Sequence, residues 1–224
     1  YRSIREPIEL SMVAIDKERV EARLVPELGV SLLPVSAIFG PNASGKSNII
    51  SAFAWLQDAV QSSLRTWDDE IPVDVFAFGD GWKQPSGFNL ELAIKGVRFE
   101  YVLELEQTAV LYEGLFYYPE KKRRRIFERI GREFKLQRGL GNLSGTRELL
   151  TDRTLALSVA RRFDEPLVSG FASELLRSQT LGLKSSSPQR VIEHRSSTVR
   201  WLEGQSDNEQ PSLFEVGNGS PPLV

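Results

Sequence analysis

The residues best suited to chemistry in this chain are the nine from Gly40 to Asn48, because they match the phosphate-binding loop GxxxxGK[ST]. Gly40 and Gly45 allow a tight turn that points backbone N–H groups at an anion, and a helix starting at the loop adds the positive end of its dipole. The spacing places Lys46 to reach the β- and γ-phosphates, as the catalytic residue of the loop, and the Ser47 hydroxyl to ligate Mg²⁺. We therefore expect the chain to bind a nucleoside triphosphate with Mg²⁺. The residues assigned to this site are Gly40, Pro41, Asn42, Ala43, Ser44, Gly45, Lys46, Ser47 and Asn48.

Two elements must position this loop. The apolar run 35–39 precedes it and is typical of a short strand buried in the middle of a sheet. The stretch Lys46–Leu64 follows it and has apolar residues at 49, 50, 53, 56, 60 and 64, the period of a helix with one broad buried face. A chance match in a glycine-rich loop without a ligand is the alternative, and the two flanking elements argue against it.

Composition limits the other chemistry. The chain has 224 residues, of which 41% are hydrophobic and 26% charged, the balance of an ordinary soluble globular protein. The formal net charge of −2 argues against a globally basic nucleic-acid binder. Cysteine is absent, which excludes disulfides and thiolate metal sites, and the single histidine, His194, has polar neighbours that favour an exposed loop position. No long apolar run or signal peptide is visible, so we expect a cytoplasmic protein without a membrane-spanning segment.

Periodicity outside the loop predicts a second, antiparallel part. Ile8–Ala14 and Val20–Val25 read as two strands joined by a charged turn at 16–19, and 67–87 reads as loop with at most one short strand at Val73–Phe78. Alternating runs then predict an antiparallel meander with one buried face. Its strands are expected at Phe88–Ile94, Val97–Leu105, Ala109–Tyr118 and Arg125–Ile130.

Helices are expected after the meander. Leucines and other apolar residues between Arg147 and Phe163 follow a helical period, and Val168–Leu181 reads as a second helix. We divide the chain into four parts: 1–66 with the hairpin, the phosphate loop and its helix, 67–146 with the loop and meander, 147–182 with the helices, and a polar segment or linker at 183–224.

The acidic groups that would cut a phosphate are harder to find. Hydrolysis needs a carboxylate at the end of a second buried strand to hold Mg²⁺ and one to polarise water. Asp164 and Glu165 have the right chemistry, but Arg161 and Arg162 precede them, which favours the end of a helix before a proline. Glu104 alternates with buried residues, and we expect it to face solvent.

Three further features have both an ordinary and a functional interpretation. Leu143-Ser144-Gly145-Thr146 resembles the start of an ABC signature loop, although a turn before a helix explains it more simply. The five basic residues 121–125 could contact nucleic-acid phosphates or form a solvated hairpin turn. The tryptophans at 55, 67, 82 and 201 are expected to pack rather than stack on bases.

The segment from Phe39 to Asn48, with the apolar helix after it, resembles ABC-type ATPases related to SMC and RecF proteins. It is most similar to the bacterial AAA-family ATPases found in abortive-infection and other phage-defence operons. The similarity continues in order over about residues 1–180. It includes 1–3 with 7–14, 85–88, 99–101, 112–115, 126–129 and 155–158.

The resemblance implies an α/β fold: a P-loop NTPase core of the ABC type with an antiparallel β-meander and following helices. It implies ATP with Mg²⁺ as cofactors and places Arg2 and Ser3 near the nucleotide. Members of the family sandwich two ATP molecules between two heads, so it implies a homodimer that closes on ATP and opens on hydrolysis. An effector protein such as a nuclease, a role in phage defence, and DNA as a partner are also implied.

The family's signature loop, acidic magnesium-binding strand with its catalytic glutamate, and late histidine switch are not found in these residues. The sequence therefore reads as the N-terminal, incomplete half of such an ATPase, which binds ATP and hydrolyses it only when complete. A regulatory or DNA-binding module with little hydrolysis is the alternative. A small GTPase or kinase is disfavoured, because no [NT]KxD motif and no arginine-rich lid occur.

Overall fold

The computed structural model describes residues 1–182, which contain two antiparallel sheets and four α-helices. The elements in chain order are β1 (Arg23–Val25), β2 (Val30–Leu32), α1 (Lys46–Thr66), β3 (Ser86–Ile94), β4 (Val97–Leu105), β5 (Val110–Tyr117), β6 (Arg124–Ile130), β7 (Glu133–Leu136), α2 (Thr146–Leu149), α3 (Ala156–Ala160) and α4 (Pro166–Arg177). None of these helices has the length and apolar composition that crossing a membrane requires. His194 and Trp201 lie outside the described residues, as does the segment 183–224.

The predicted meander is confirmed as a five-stranded sheet of order β3-β4-β5-β6-β7 with every pairing antiparallel. The alternation in β4 has the expected consequence, since Phe99, Tyr101, Leu103 and Leu105 are buried on one face and Glu104 is exposed. The sheet has one strand more than expected, because β7 pairs with β6 from Phe127 opposite Leu136 to Ile130 opposite Glu133. Its four residues are too few for an alternation to be recognised.

Helix α1 lies over the core and is continuous for 21 residues, in agreement with the predicted helix. Its buried residues are Leu56, Ala59, Val60 and Ser63, all in the half of the helix that is further from the phosphate loop. The two expected helices of the C-terminal region differ from the prediction. The first is split into α2 and α3, and the second begins at Pro166 and ends at Arg177.

The split between α2 and α3 has a local cause. The Thr151 hydroxyl accepts hydrogen bonds from the backbone N–H groups of Thr154, at 3.1 Å, and Arg153, at 3.3 Å. Such side-chain bonds compete with helical ones and turn the backbone. The apolar period of this region therefore covers two short helices: all of α3 is buried, whereas α2 buries only Thr146 and exposes Leu149.

The predicted pairing of the N-terminal hairpin is wrong. Within residues 1–182, Ile8–Ala14 contributes only an isolated bridge from Val13 to Leu32, and the hairpin is formed instead by β1 and β2. A turn at 26–29 joins these strands, in which the Gly29 N–H donates to the Val25 carbonyl at 3.0 Å. Gly29 adopts a φ of 70°, which glycine allows without strain, so the turn forms here rather than at 16–19.

The expected buried strand at 35–39 is also wrong. These residues form no strand, and Val35 is 69% exposed and Phe39 89% exposed. Their backbone N–H and C=O groups make no hydrogen bond within residues 1–182. A strand needs a neighbour to receive its backbone hydrogen bonds, and no segment within residues 1–182 pairs with this one. Val73–Phe78 forms no strand, in agreement with the interpretation of 67–87 as mainly loop, and Ile71 and Val73 are buried.

Candidate nucleotide-binding site

Residues 40–48 form an open loop that leads into the N-terminus of α1. Gly45 stands immediately before the helix with a φ of 89°, and Ala43 has a φ of 64°. Both values lie in the left-handed region, which is unusual for a residue with a Cβ such as Ala43. Gly40 lies so close to the other side of the loop that a Cβ there would be 3.1 Å from the Ser44 Oγ. A side chain at position 40 would therefore widen the loop.

The backbone N–H groups of this loop are largely free. Those of Ala43, Gly45, Lys46 and Ser47 make no hydrogen bond within residues 1–182. The helix start has no acidic residue in its first turn, and Gly45 offers no side-chain cap. Unpaired N–H groups and the positive end of the 21-residue helix are what an anion requires.

Lys46 closes the loop from inside. Its ammonium donates to the Gly40 carbonyl at 2.6 Å and to the Pro41 carbonyl, and it lies 3.3 Å from the Ser44 hydroxyl. An ammonium has three donors, and the two carbonyls and the Ser44 hydroxyl engage all of them. The lysine therefore fixes the curvature of the loop, and it would exchange one of these contacts for a phosphate oxygen when a nucleotide binds.

Ser47 and Asn48 complete the loop. Ser47 is exposed, and its hydroxyl has no hydrogen-bond partner among the described residues, so it is free to ligate a cation. Asn48 donates from Nδ2 to the Ser3 hydroxyl at 2.5 Å. The set of backbone N–H groups, one ammonium and one free hydroxyl fits a magnesium-bound triphosphate.

The structure brings the N-terminal segment to the loop, as expected for Ser3. Arg2 is held differently, because its Nε forms an ion pair with the Asp74 carboxylate at 2.7 Å and its backbone N–H donates to the Asp74 carbonyl at 2.7 Å. Tyr1 anchors the segment, with its ring 5.7 Å from Phe88 and its hydroxyl donating to the Ser51 carbonyl at 3.4 Å. The roles of Arg2 and Ser3 toward a nucleotide stay predictions.

Asp74 was missed by the sequence analysis. It lies 72 residues from its partner Arg2, in a segment without periodicity, so no pattern along the chain links the two. Two tryptophans support the same region by packing, since Trp55 stacks on Trp67 with ring centroids 5.8 Å apart and on Phe88 at 4.8 Å. The packing interpretation is thus confirmed for these two, while Trp82 is exposed.

The acidic candidates lie in other environments. Glu165 is the N-cap of α4, where its side chain accepts from the Leu167 N–H at 3.5 Å, and Pro166 begins the helix. Asp164 beside it is exposed, as is Glu104 on the outer face of the sheet. Among residues 1–182, no three acidic or histidine side chains gather in a group that could hold a metal ion.

The structure also places the signature-like segment 143–146 and the basic run 121–125. Leu143 and Thr146 are buried at the start of the four-residue α2. A methyl group on Gly145 would lie 3.0 Å from the Phe163 ring, so this glycine serves close packing. The basic run straddles the β5–β6 turn, where Arg123 pairs with Glu100 at 3.1 Å and Arg125 with Glu128 at 3.1 Å.

Comparison with known proteins identifies one family. Its model, described as "AAA domain, putative AbiEii toxin, Type IV TA system", matches residues 35–156, which is more than half of the chain. The match begins at the apolar run before the phosphate loop and ends at the first residue of α3. No curated protein matches the chain, and no solved structure does.

Proposed function

The chain belongs to this family of AAA domains, and on that premise we propose that it binds ATP with Mg²⁺ at residues 40–48 as part of a dimerising ATPase head of the SMC/RecF type. The observation that carries the proposal is the loop itself. Four backbone N–H groups, at Ala43, Gly45, Lys46 and Ser47, are unpaired within residues 1–182 beside the Lys46 ammonium. Lys46 and the N–H groups would hold the β- and γ-phosphates, and Ser47 would ligate the metal.

The unpaired run 35–39 supports a composite site. An apolar segment with exposed side chains and free backbone groups, directly before the loop, is suited to pairing with further strands. We propose that residues outside 1–182 or a second polypeptide supply those strands, together with the acidic groups that hydrolysis needs. ATP bound in the loop would then favour the closed dimer, and its hydrolysis would release it.

The family description supports a role in phage defence, since it names a putative toxin of a type IV toxin–antitoxin system. We propose that the head restrains or activates an effector protein in such a system. A nucleotide-dependent conformational switch is the property that this role needs, and the loop provides its ligand site.

Titration with ATP by calorimetry tests the binding claim. Lys46→Ala should abolish binding, because it removes both the phosphate donor and the bonds that curve the loop. Lys83→Ala is the matched control, since Lys83 is an exposed lysine that pairs with Asp80, and it should bind as the wild type does. Equal ATP affinity of wild type and Lys46→Ala would reject the proposed function.

Ser47→Ala tests the metal assignment separately. It should weaken binding in the presence of Mg²⁺ and leave binding in excess chelator unchanged, because only the metal contact is lost. A loss of equal size under both conditions would show that Ser47 shapes the loop rather than ligating the metal.

A regulatory module that binds nucleotide and hydrolyses little is the second candidate. The lack of an acidic cluster among residues 1–182 favours it. Light scattering during size-exclusion chromatography, with and without a slowly hydrolysed ATP analogue, separates the two. An analogue-dependent dimer supports the switching head, and an unchanged monomer supports the regulatory module.

A further inference from the structure

We propose that one end of the five-stranded sheet binds the phosphate backbone of duplex DNA. The antiparallel register brings the β3–β4 turn, the β5–β6 turn and the segment after β7 to this end. Ile94 pairs with Val97 at the first turn, and Tyr117 pairs with Arg124 at the second. We call the exposed cations gathered there the basic sheet end: Lys95, Lys121, Lys122, Arg124 and Arg138.

None of these five cations has an acidic partner within residues 1–182. Three neighbouring arginines are neutralised instead, as Arg98 pairs with Glu91, Arg123 with Glu100 and Arg125 with Glu128. Two further carboxylates lie at this end without an ion pair, Glu120 in the turn and Glu27 beside Gly96. The basic sheet end therefore carries an excess of positive charge on a chain whose formal net charge is −2.

The two turns hold their lysines at fixed places. Lys95 and Gly96 have φ values of 48° and 78°, and Glu120 and Lys121 have values of 53° and 62°. At the β3–β4 connection the two left-handed residues make the tight two-residue hairpin turn that matches the strand twist. The β5–β6 connection is longer, since Tyr117 pairs with Arg124, and its two left-handed residues lie within a short 3-10 turn at Pro119–Lys121. Such conformations persist where the surrounding structure imposes them, and they often mark functional positions.

The spacing suits a nucleic-acid backbone. Neighbouring strands lie about 4.8 Å apart, so the two turns are about 10 Å apart and Arg138, beyond β7, extends the row to roughly 17 Å. One DNA strand carries a phosphate about every 3.4 Å along the helix axis, so a row of this length can reach several phosphates. Lysine and arginine side chains are the usual partners of such phosphates.

An acidic protein is a less suitable partner for this surface. Protein–protein interfaces need an apolar centre, from which charged residues are depleted. Among residues 1–182, the exposed large apolar side chains lie elsewhere, and none belongs to the two turns or to the segment after β7. A surface of cations without an apolar centre is typical of protein–DNA contacts.

The test is fluorescence anisotropy of a labelled 24-base-pair duplex titrated with the full chain at several salt concentrations. In the test variant Lys95, Lys121, Lys122 and Arg124 are all changed to glutamine. We expect its affinity to fall by about tenfold or more at 50 mM salt, and the slope of log affinity against log salt to shrink by about 0.9 for each lost contact. A variant with the three lysines changed to arginine should bind like the wild type.

A matched control removes the same charge elsewhere, by changing Lys17, Arg65, Lys83 and Arg162 to glutamine, all of them exposed and outside the five-stranded sheet. It should keep the wild-type affinity and slope. The proposal is overturned if the test variant binds like the wild type, or if both variants lose affinity equally. It is also overturned if polyglutamate displaces the duplex when both polymers supply the same concentration of negative charge. That result would indicate that the partner of the basic sheet end is an acidic protein. Lys46→Ala should bind DNA normally, so this test is independent of the ATP site.

Discussion

Ala43 is the residue of the phosphate loop whose backbone departs furthest from ordinary L-residue geometry. Its φ of 64° places it in the left-handed region, which is unfavourable by roughly 1–2 kcal/mol for a residue with a Cβ. Its N–H is also one of those left free within the described residues. The loop thus holds a strained conformation before any ligand binds, which means that little reorganisation remains for binding.

Ala43→Gly is therefore expected to leave the free energy of unfolding unchanged or to raise it by up to about 1 kcal/mol, with ATP affinity retained. The same change at Ala52, inside α1, should lower stability by about 1 kcal/mol, because glycine is unfavourable in a helix interior. Urea unfolding with an ATP titration measures both. A larger loss at position 43 than at position 52 would mean that Ala43 is not left-handed.

Glu113 has a structural role that the sequence did not predict. It is fully buried in β5, accepts from the Tyr101 hydroxyl at 2.9 Å and from the Leu157 N–H at 2.8 Å, and also accepts from the Ala156 N–H. It thereby caps α3 from the sheet. Arg129 lies opposite it in β6 and donates to backbone carbonyls, including that of Thr154 at 2.6 Å.

Replacing Glu113 by alanine should lower the free energy of unfolding by about 3–5 kcal/mol, because three donors would lose their buried acceptor and Arg129 would lose a nearby opposite charge. Glu104→Ala is the control, as its side chain is exposed in the neighbouring strand, and it should change stability by less than about 0.5 kcal/mol. Chemical denaturation at pH 7 compares them. Equal effects would contradict the buried network.

Burial raises the pKa of the Glu113 carboxyl above its ordinary value of 4.5, although the Leu157 N–H and the Arg129 guanidinium act in the opposite direction. Because the folded state then binds a proton more tightly than the unfolded state, stability falls as pH rises from 4.5 through the folded-state pKa. Glu113→Gln should remove this fall. Denaturation midpoints of the two proteins between pH 4 and 8 should therefore differ in their pH dependence.

At the scale of elements, the sequence patterns predicted the strands and helices whose formation depends on residues close together in the chain. The alternation in β4 and the helical period of α1 predicted both elements, since each buries one face of a regular structure. The break between α2 and α3 could not be seen, because it depends on a threonine hydroxyl turning back on the chain. The burial of Glu113 and Arg129 could not be seen either, since charged residues read as exposed unless their partners are known.

Gly114 in β5 gives a test of the sheet. A Cβ there would lie 2.5 Å from the ring of Phe116, which is buried under the Arg123 guanidinium. Gly114→Ala should lower the free energy of unfolding by about 1–3 kcal/mol through overpacking. Gly87→Ala in β3 meets no atom within 4 Å and should be neutral or slightly stabilising. Equal stability of the two variants would contradict this packing.

At the scale of the whole molecule, the surroundings of the phosphate loop are the part that the sequence could not predict. The apolar composition of 35–39 favours a buried strand. A buried strand needs a neighbouring strand to pair with, and within residues 1–182 no segment pairs with this run. The loop could be recognised from the sequence because its motif consists of residues adjacent in the chain, and its role in binding stays a prediction. The contacts of Arg2 and Ser3 with distant segments needed the three-dimensional structure.

The expected ATPase activity also depends on the molecule as a whole. The 224-residue chain should bind ATP and show negligible turnover, because residues 1–182 hold no acidic cluster to bind Mg²⁺ and polarise water. Phosphate release from the purified chain measures this, with Lys46→Ala as the background. Turnover well above that background would contradict this expectation. It would make Asp164, Glu165 and Glu104 candidates for the acidic group that hydrolysis needs.

The most direct test of the central claim is an amide NMR map of ATP binding to the ¹⁵N-labelled chain. We expect MgATP to shift the N–H signals of Ala43, Gly45, Lys46 and Ser47, which are unpaired within the described residues. The same titration of Lys46→Ala should leave them unmoved. Shifts confined to residues outside 40–48, or shifts unchanged in the variant, would contradict binding at this loop.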